Sequence, residues 1–396
     1  MIIGIDGNEA NIEIRVGVNV YAFELLRHIY RLSELWRGKH KFVIYLKDKP
    51  MAHMPPANSS WIYRVIPGKG VWIITKLMPT LYKEKYFPGK NLQLNSKGES
   101  IVLSPDIFFT PSHYIPPLAP MPRICSIMDL GYLEFSGQFK KYDYWQLTLW
   151  SAYSILVSKC IIAISESSKR DIVRHYPSSK RKIVVTYPGY DNSRFNLKVP
   201  LIQVKRVRDR YKIDGDYVLF LSTLKPSKNL KGLIEAMDKV IKQYQDVVLV
   251  VAGKKGWFYG DIFETVKKLG LEDKVIFTDY IPEEDKAGLI AGAKAFALPS
   301  FWEGFGLDVV SAMACGVPVV TSKVGSLPEV AGDAGITVDP SDTDSIARGI
   351  LKVLTMGKMD YNRVVRAGLT QVKKFSWERM ARETMEIFEK TLSQKK

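Results

Sequence analysis

The sequence predicts an α/β protein of two doubly wound domains, each a parallel sheet covered by helices. Three observations carry this. Short apolar runs bounded by turn formers alternate with helical stretches through the first half of the chain. The alternation halts at Tyr187-Pro-Gly-Tyr-Asp-Asn-Ser-Arg-Phe-Asn196, a segment rich in turn formers, and then restarts. At 396 residues with 46% hydrophobic content, the chain is long enough to bury two cores. The expected division is residues 1–195 and 196–377.

In order, the apolar runs Ile2–Asp6, Lys41–Leu46, Ile62–Ile66, Asp106–Thr110, Ile124–Met128 and Cys160–Ser165 read as strands. Gly17–Leu32, Gln138–Val157 and Ser167–His175 read as helices. The segment Gly68–Lys90 sets Val71, Trp72, Ile73, Ile74, Leu77, Met78, Leu81, Tyr82, Tyr86 and Phe87 among Lys69, Lys76, Lys83, Lys85 and Lys90. That pattern suits either an ordinary packed helix or one lying in an anionic lipid interface. The polar stretch Pro88–Ser100 reads as a flexible loop.

Beyond residue 196, strands are predicted at Tyr217–Ser222, Val247–Ala252, Lys274–Thr278, Ala295–Leu298 and Val319–Ser322. Helices are predicted at Leu230–Tyr244, Ile262–Lys268 and Glu283–Ala291. Short elements follow around Pro328 and Ile336, then helices at Asp342–Leu354, Tyr361–Val372 and Trp377–Thr391.

Composition narrows the functional classes. No run reaches the roughly 18 uninterrupted apolar residues of a membrane-spanning helix, and the start of the chain reads as a strand rather than a secretory signal, so a cytoplasmic location is expected. Cys125, Cys160 and Cys315 are far apart and set in apolar sequence, which predicts core thiols rather than disulfides or a zinc site. The net charge of +16 is concentrated in the first half, where residues 1–196 carry 26 Lys and Arg against 15 Asp and Glu. Such an excess suits nucleic acid, acidic lipid or an anionic nucleotide substrate. No nucleic-acid module accompanies it.

The most informative stretch runs from Pro299 to Ser322. A buried strand ends at Pro299, Glu303 follows in the loop, Gly304-Phe305-Gly306 opens a helix, and Gly316-Val317-Pro318 leads into the next strand. In a parallel sheet the carboxyl ends of strands are where ligands bind, and the N–H groups of a helix start can hold phosphate. The stretch resembles the signature of retaining glycosyltransferases of family 4, E-G-F-G-L-x-x-x-E followed by A-x-A-x-G-x-P-V-V. Glu303, Gly304, Phe305, Gly306, Leu307, Ala312, Ala314, Gly316, Pro318, Val319 and Val320 match it. The second glutamate, which in that family holds the nucleotide ribose, falls on Ser311.

The resemblance implies the GT-B fold, in which two Rossmann-like domains face a cleft and a last helix, here about 378–396, crosses back to the first domain. It extends to Leu221-Ser-Thr-Leu-Lys-Pro-Ser-Lys-Asn-Leu230, where Lys228 matches the family's phosphate-neutralising lysine. The accompanying arginine falls on Thr223 or Ser227, which leaves Lys225 as a replacement cation. Gly17 matches a glycine beneath the donor phosphates. Gly253 and Tyr280 fall on turns that shape the donor site by analogy. Asp129 is kept from a His-Asp-Leu motif whose histidine is here Met128, and His113 is the nearest substitute.

The function implied is transfer of a hexose, with mannose favoured, from a nucleotide-diphosphate sugar to a saccharide or lipid-linked saccharide, with retention, without a metal and without a cofactor. Glu303, Asp129 and Lys228 are the expected catalytic residues. Gly17, Lys225, Lys228, Gly253, Tyr280, Gly304, Phe305, Gly306, Leu307 and Ser311 are the expected donor contacts. Peripheral attachment to an anionic membrane surface is a further expectation. The rival readings are a catalytically weakened nucleotide-sugar-binding protein and, behind it, a nucleic-acid-binding protein.

Overall fold

The computed structural model describes residues 1–393 except 37, 88–92, 95–99, 102–103, 139–140 and 257–258. They form two compact units. The first comprises Met1–Leu133, Lys140–Gly189 and Ser376–Lys396, and the second comprises Glu134–Phe139 and Tyr190–Phe375. Most of the expected loop Pro88–Ser100 lies outside the described residues.

The first unit contains β1 (Ile2–Asp6), α1 (Val18–Ser33), β2 (Lys41–Leu46), β3 (Trp61–Val65), α2 (Met78–Tyr86), a small antiparallel pair β4 (Gln93–Leu94) and β5 (Ser100–Ile101), β6 (Ile107–Thr110), β7 (Arg123–Ile127), α3 (Gly131–Glu134), α4 (Lys141–Val157), β8 (Cys160–Ala163), α5 (Glu166–His175) and β9 (Ile183–Val185). Its sheet runs β3-β2-β1-β6-β7-β8-β9, parallel throughout. Central strands covered on both faces need apolar residues at consecutive positions, and the runs FVIYL of β2, IFFT of β6 and CIIA of β8 are buried along their length.

The second unit contains α6 (Leu201–Tyr211), β10 (Asp216–Leu221), α7 (Leu230–Ile241), β11 (Val247–Ala252), α8 (Gly260–Leu269), β12 (Val275–Asp279), α9 (Glu283–Ala291), β13 (Ala295–Leu298), α10 (Leu307–Ala314), β14 (Val319–Ser322), α11 (Leu327–Ala331), β15 (Gly335–Val338), α12 (Thr343–Leu354) and α13 (Lys358–Gln371). Its sheet order is β12-β11-β10-β13-β14-β15. Helix α7 shows why the alternation was legible. Leu230, Leu233, Ile234, Met237 and Val240 recur at helical spacing and all are buried, and α7 packs on α12.

The chain then returns to the first unit as α14 (Trp377–Ser393), which lies along α1. Phe388 is fully buried there against Phe109, with ring centroids 5.1 Å apart, and Glu389 accepts from His40 Nε2 at 2.8 Å. The three cysteines are buried free thiols. Among the described residues no helix is long and apolar enough to cross a membrane.

The segment Gly68–Lys90 departs from a single apolar face. A wide turn, Ile73–Leu77, leads into α2. Trp72, Leu77 and Leu81 enter the core beside Tyr45 and Phe108, whereas Val71, Ile74, Tyr82, Tyr86 and Phe87 stay exposed. Lys90 lies outside the described residues. Several elements were not predicted: α3, the pair β4 and β5, of which β4 lies within the stretch expected as a loop, α6 and β9. Helix α6 buries only Val207 and is held instead by Arg206 and Arg210 on the buried Asp285 of α9, at 3.1 and 2.8 Å. The three-residue edge strand β9 follows a polar turn, Pro177–Lys182.

Candidate active site

In each sheet the strand order reverses beside the first strand, between β1 and β6 in one unit and between β10 and β13 in the other. Loops leaving the carboxyl ends at such a switch point diverge and leave room for a ligand. In the second unit these loops carry Lys228, after β10, and Glu303, after β13. Each is built to hold its side chain still.

Asn229 adopts a left-handed backbone (φ 54°) just before α7, and its Nδ2 donates to the carbonyls of Pro299 at 3.1 Å and Pro340 at 2.7 Å. The Phe301 N–H donates to the Ser227 carbonyl at 2.8 Å. The two loops are thereby stitched together. Ser326 fixes the backbone at Glu303 by donating its N–H and hydroxyl to the Glu303 carbonyl at 3.2 and 3.0 Å. On that frame Lys228 Nζ meets Glu303 Oε1 directly, and Ser300 Oγ donates to the same oxygen at 3.2 Å. Both partners of the ion pair are largely buried, each side chain 11% exposed. A desolvated pair of this kind is geometrically demanding, which makes it a positioning device more than a source of stability.

The other expected donor contacts fall on the same sheet edge. Gly304 and Phe305 are buried, and the Phe305 ring packs edge-on to Phe375, so its side chain belongs to the core. Gly306 caps α10 at φ 96°, a conformation that favours glycine, and frees the helix start for N–H donation. Leu307 begins the helix. Ser311, a turn later, is buried and its hydroxyl donates to the Leu307 carbonyl at 3.2 Å. Lys225 sits just before the turn Pro226–Lys228. Gly253 follows β11 at φ 143°, where a Cβ would stand 1.9 Å from the Ser222 carbonyl oxygen. Tyr280, after β12, faces Lys254, whose Nζ lies 5.5 Å from the ring centroid.

A second group of charges, not anticipated from the sequence, adjoins this pair. Glu283 of α9 pairs with Lys286 and with Arg194 Nη1, the latter at 3.2 Å. Burial works against the Glu283 carboxylate, but Lys286 and Arg194 outweigh it and hold it below the usual range. Burial likewise opposes the Lys286 ammonium, yet Asp308 and Glu283 keep it above the usual range. Asp308, in the first turn of α10, keeps some surface although its carboxyl is drawn in among protein groups. Burial pushes it up to about 6, against the pull of Lys286 and Lys228 and with Glu283 and Glu303 adding to the rise. The only sequence signal was an acid inside an otherwise apolar helix, LDVVSAMA.

Gly17, Asp129, Met128 and His113 belong to the other sheet. Gly17 precedes α1 at φ 47°. Asp129 Oδ1 accepts the Gly131 N–H at 2.8 Å, which gives its carboxylate a turn-forming task. The Met128 carbonyl accepts from Ser168 Oγ at 2.6 Å. The His113 ring lies tilted against Tyr114, centroids 4.1 Å apart, and its Nε2 is buried without a hydrogen-bond partner. Burial pushes its imidazole down to about 4, so it is neutral at pH 7. Two acids lie on the path from β1 to Gly17, Asp6 buried at the end of the strand and Glu9 half-buried in the loop. Asp6 is raised by burial and accepts from the Asn8 amide at 2.7 Å, and Glu9, also raised by burial, accepts from Asn19 at 2.7 Å. Among the described residues no three His, Cys, Asp or Glu side chains converge as a metal site.

Comparison with known proteins agrees with this geometry. Residues 204–368 match the family described as Glycosyl transferases group 1. A segment of 235 residues, 58% of this chain, is 35% identical to the O-antigen chain mannosyltransferase B of Escherichia coli and covers 60% of that protein. A segment of 178 residues, 41% of this chain, is 35% identical to the GDP-mannose-dependent alpha-(1-6)-phosphatidylinositol monomannoside mannosyltransferase of Mycolicibacterium smegmatis and covers 44% of it. The chain thus spans less than two thirds of the length of either relative. The structure of Anabaena HepE in complex with UDP and glucose superposes with a TM-score of 0.70 over 98% of this chain and 99% of that one, at 17% identity. At that identity the likeness speaks for the fold, and the fold is the GT-B type expected, built from two Rossmann-like units. The likeness to the glycosyl transferases group 1 family thus falls on residues 204–368, the greater part of the second unit.

Proposed function

We propose that the protein is a retaining glycosyltransferase that moves mannose from a nucleotide-diphosphate sugar, GDP-mannose first among them, to a saccharide or lipid-linked saccharide. The observation that carries this is the buried Lys228–Glu303 pair at the switch point of the second unit, beside the free start of α10. Departure of a nucleoside diphosphate builds negative charge on its β-phosphate while the sugar becomes oxocarbenium-like. Lys228 and the N–H groups of α10 suit the first charge, and the Glu303 carboxylate suits the sugar hydroxyls and the cationic centre. The Mycolicibacterium relative is named for GDP-mannose, which supports that donor. The chemistry assigned to these residues calls for no metal and no cofactor.

Incubation with a panel of nucleotide sugars and saccharide acceptors tests the reading. Nucleotide release with transfer is the expected result. Thermal stabilisation by the nucleotide without release would instead mean a binding protein, the reading that the changes at Met128, Thr223, Ser227 and Ser311 would suit.

The acceptor reading extends to a membrane surface. Val71, Tyr86 and Phe87 are 54, 60 and 59% exposed, and Lys69, Lys76, Lys83 and Lys85 are exposed with them. An apolar edge rimmed by lysines suits an anionic lipid interface, each lysine near the surface contributing about 1 kcal/mol. The protein is expected to sediment with anionic but not neutral liposomes, and less so as salt rises. Equal sedimentation with both would end this part of the proposal.

A further inference from the structure

A second apolar surface adjoins α2 in the first unit. Helix α4 has 17 residues, of which only Ser151, Ser154 and Ile155 are buried. Tyr142, Trp145, Leu149 and Leu156 recur at helical spacing on its opposite side, and each is more than half exposed. Single exposed apolar residues are ordinary, but a stripe of four large ones marks a contact surface.

One loop joins this stripe to α2. Ile115-Pro-Pro-Leu-Ala-Pro-Met-Pro122 lies between β6 and β7, and its prolines restrict the backbone. Ile115, Ala119 and Met121 are buried beneath it, whereas Leu118 points out and is 68% exposed. Leu118 stands at φ 50°, a conformation leucine rarely adopts. Tyrosines hold it from both sides. Tyr82 Oη of α2 donates to the Leu118 carbonyl at 2.5 Å, and the Leu118 N–H donates to Tyr153 Oη of α4 at 3.2 Å. Tyr153 is one turn from both Leu149 and Leu156, so the stripe of α4 begins where the exposed residues of α2 end.

Charge says what covers this face. Residues 68–87, 115–123 and 141–159 together carry seven Lys and Arg against two acids, Glu84 and Asp143. Glu84 is buried and accepts from Tyr45 Oη at 2.6 Å. Just beyond, Lys180 and Arg181 are exposed in the turn that packs on α4. A face so biased repels a second copy of itself and attracts an anionic surface. We propose, resting on the membrane reading of α2, that α2, the Leu118 loop and α4 form one docking face for an anionic lipid surface. Leu118 enters the acyl layer, and the stripe of α4 lies along the interface. The strained backbone is the means by which a leucine, rather than a glycine, is held outward.

The test uses the full chain with vesicles of phosphatidylcholine, alone or mixed with an equal part of phosphatidylglycerol. The native cysteines are buried, so Leu118→Cys takes a polarity-sensitive fluorophore selectively, and Met359→Cys, exposed in the second unit, is the control. On anionic vesicles the probe at 118 should brighten and shift to shorter wavelength, while the probe at 359 stays as in water. Leu118→Gly should keep the wild-type unfolding temperature, because relief of the backbone offsets the freedom added to the unfolded chain. It should nonetheless bind anionic vesicles about tenfold more weakly. Leu149→Ser with Leu156→Ser should weaken binding by about tenfold or more. Leu201→Ser, an equally exposed site on α6, should bind as wild type. A probe at 118 that stays as in water on vesicle-bound protein, or a Leu118→Gly variant that binds as tightly as wild type, overturns the role of this face and leaves the reading of α2 standing. A probe at 118 that shifts with protein concentration in the absence of vesicles means that a second copy covers the face, and overturns the lipid occupant. Failure of the wild-type protein to bind anionic vesicles overturns both membrane readings and leaves sugar transfer untouched.

Discussion

Glu303→Gln is expected to lower turnover by about two or more orders of magnitude, roughly 2.7 kcal/mol of lost transition-state stabilisation. The amide keeps the size of the side chain and can still accept from Ser300. It loses the charge that meets Lys228 and that would face a sugar becoming cationic. Nucleotide affinity should stay within about threefold of wild type or tighten, because Lys228 is released toward phosphate. The loop itself should hold, since its backbone is fixed by Ser326 rather than by the carboxylate. Single-turnover rates measured alongside nucleotide titration separate the two effects. Near-normal turnover in the variant would remove Glu303 from the chemistry.

Gly253→Ala should be among the most damaging single substitutions in the second unit, by about 3 kcal/mol or more. The new Cβ would lie 1.9 Å from the Ser222 carbonyl oxygen, and the backbone there, at φ 143°, is closed to ordinary side chains. Relief would require β10 and β11 to part where the Ser222 N–H donates to the Ala252 carbonyl at 3.0 Å. For a unit of this size that is a loss of roughly 6–12 °C in Tm. Gly17→Ala is the contrast. Its φ of 47° also favours glycine, but nothing lies within 4 Å of a Cβ there, so only the backbone cost of about 1–3 kcal/mol is expected, without a clash. Thermal unfolding of both variants without ligand checks the pair, and a fall of under about 2 °C for Gly253→Ala would refute the clash.

These cases show what the sequence could and could not reveal. Strands β1, β2, β11, β13 and β14 were legible to the residue, because a strand buried on both faces is a nearly continuous apolar run and polar residues or turn formers mark its ends. Helix α6 was not, since its few apolar positions at helical spacing, Val204, Val207 and Tyr211, are interleaved with charges and it is fastened largely by arginines to one buried aspartate. In the site, Lys228 and Glu303 were legible through motif spacing, and the structure joins them. Asp308 and Lys286 were not, because their significance comes from packing of α9 against α10, which no local pattern encodes. Gly253 was marked for ligand approach, and the structure gives it a reason that holds without any ligand.

The return of α14 to the first unit also orders events during synthesis. The faces of α1 and β6 that α14 covers, Phe388 on Phe109 among the contacts, are made early, while their cover is translated only after the second unit. At about 5–20 residues per second, the stretch from Tyr190 to Ser393 takes roughly 10–40 s to emerge, which is ample time for the second unit to fold. The first unit therefore waits for this part of its cover until α14 has emerged. A ribosome that stalls before Trp377 releases a protein whose second unit is whole but whose first sheet still shows an apolar face, the kind of surface by which chaperones and proteases distinguish finished chains from unfinished ones.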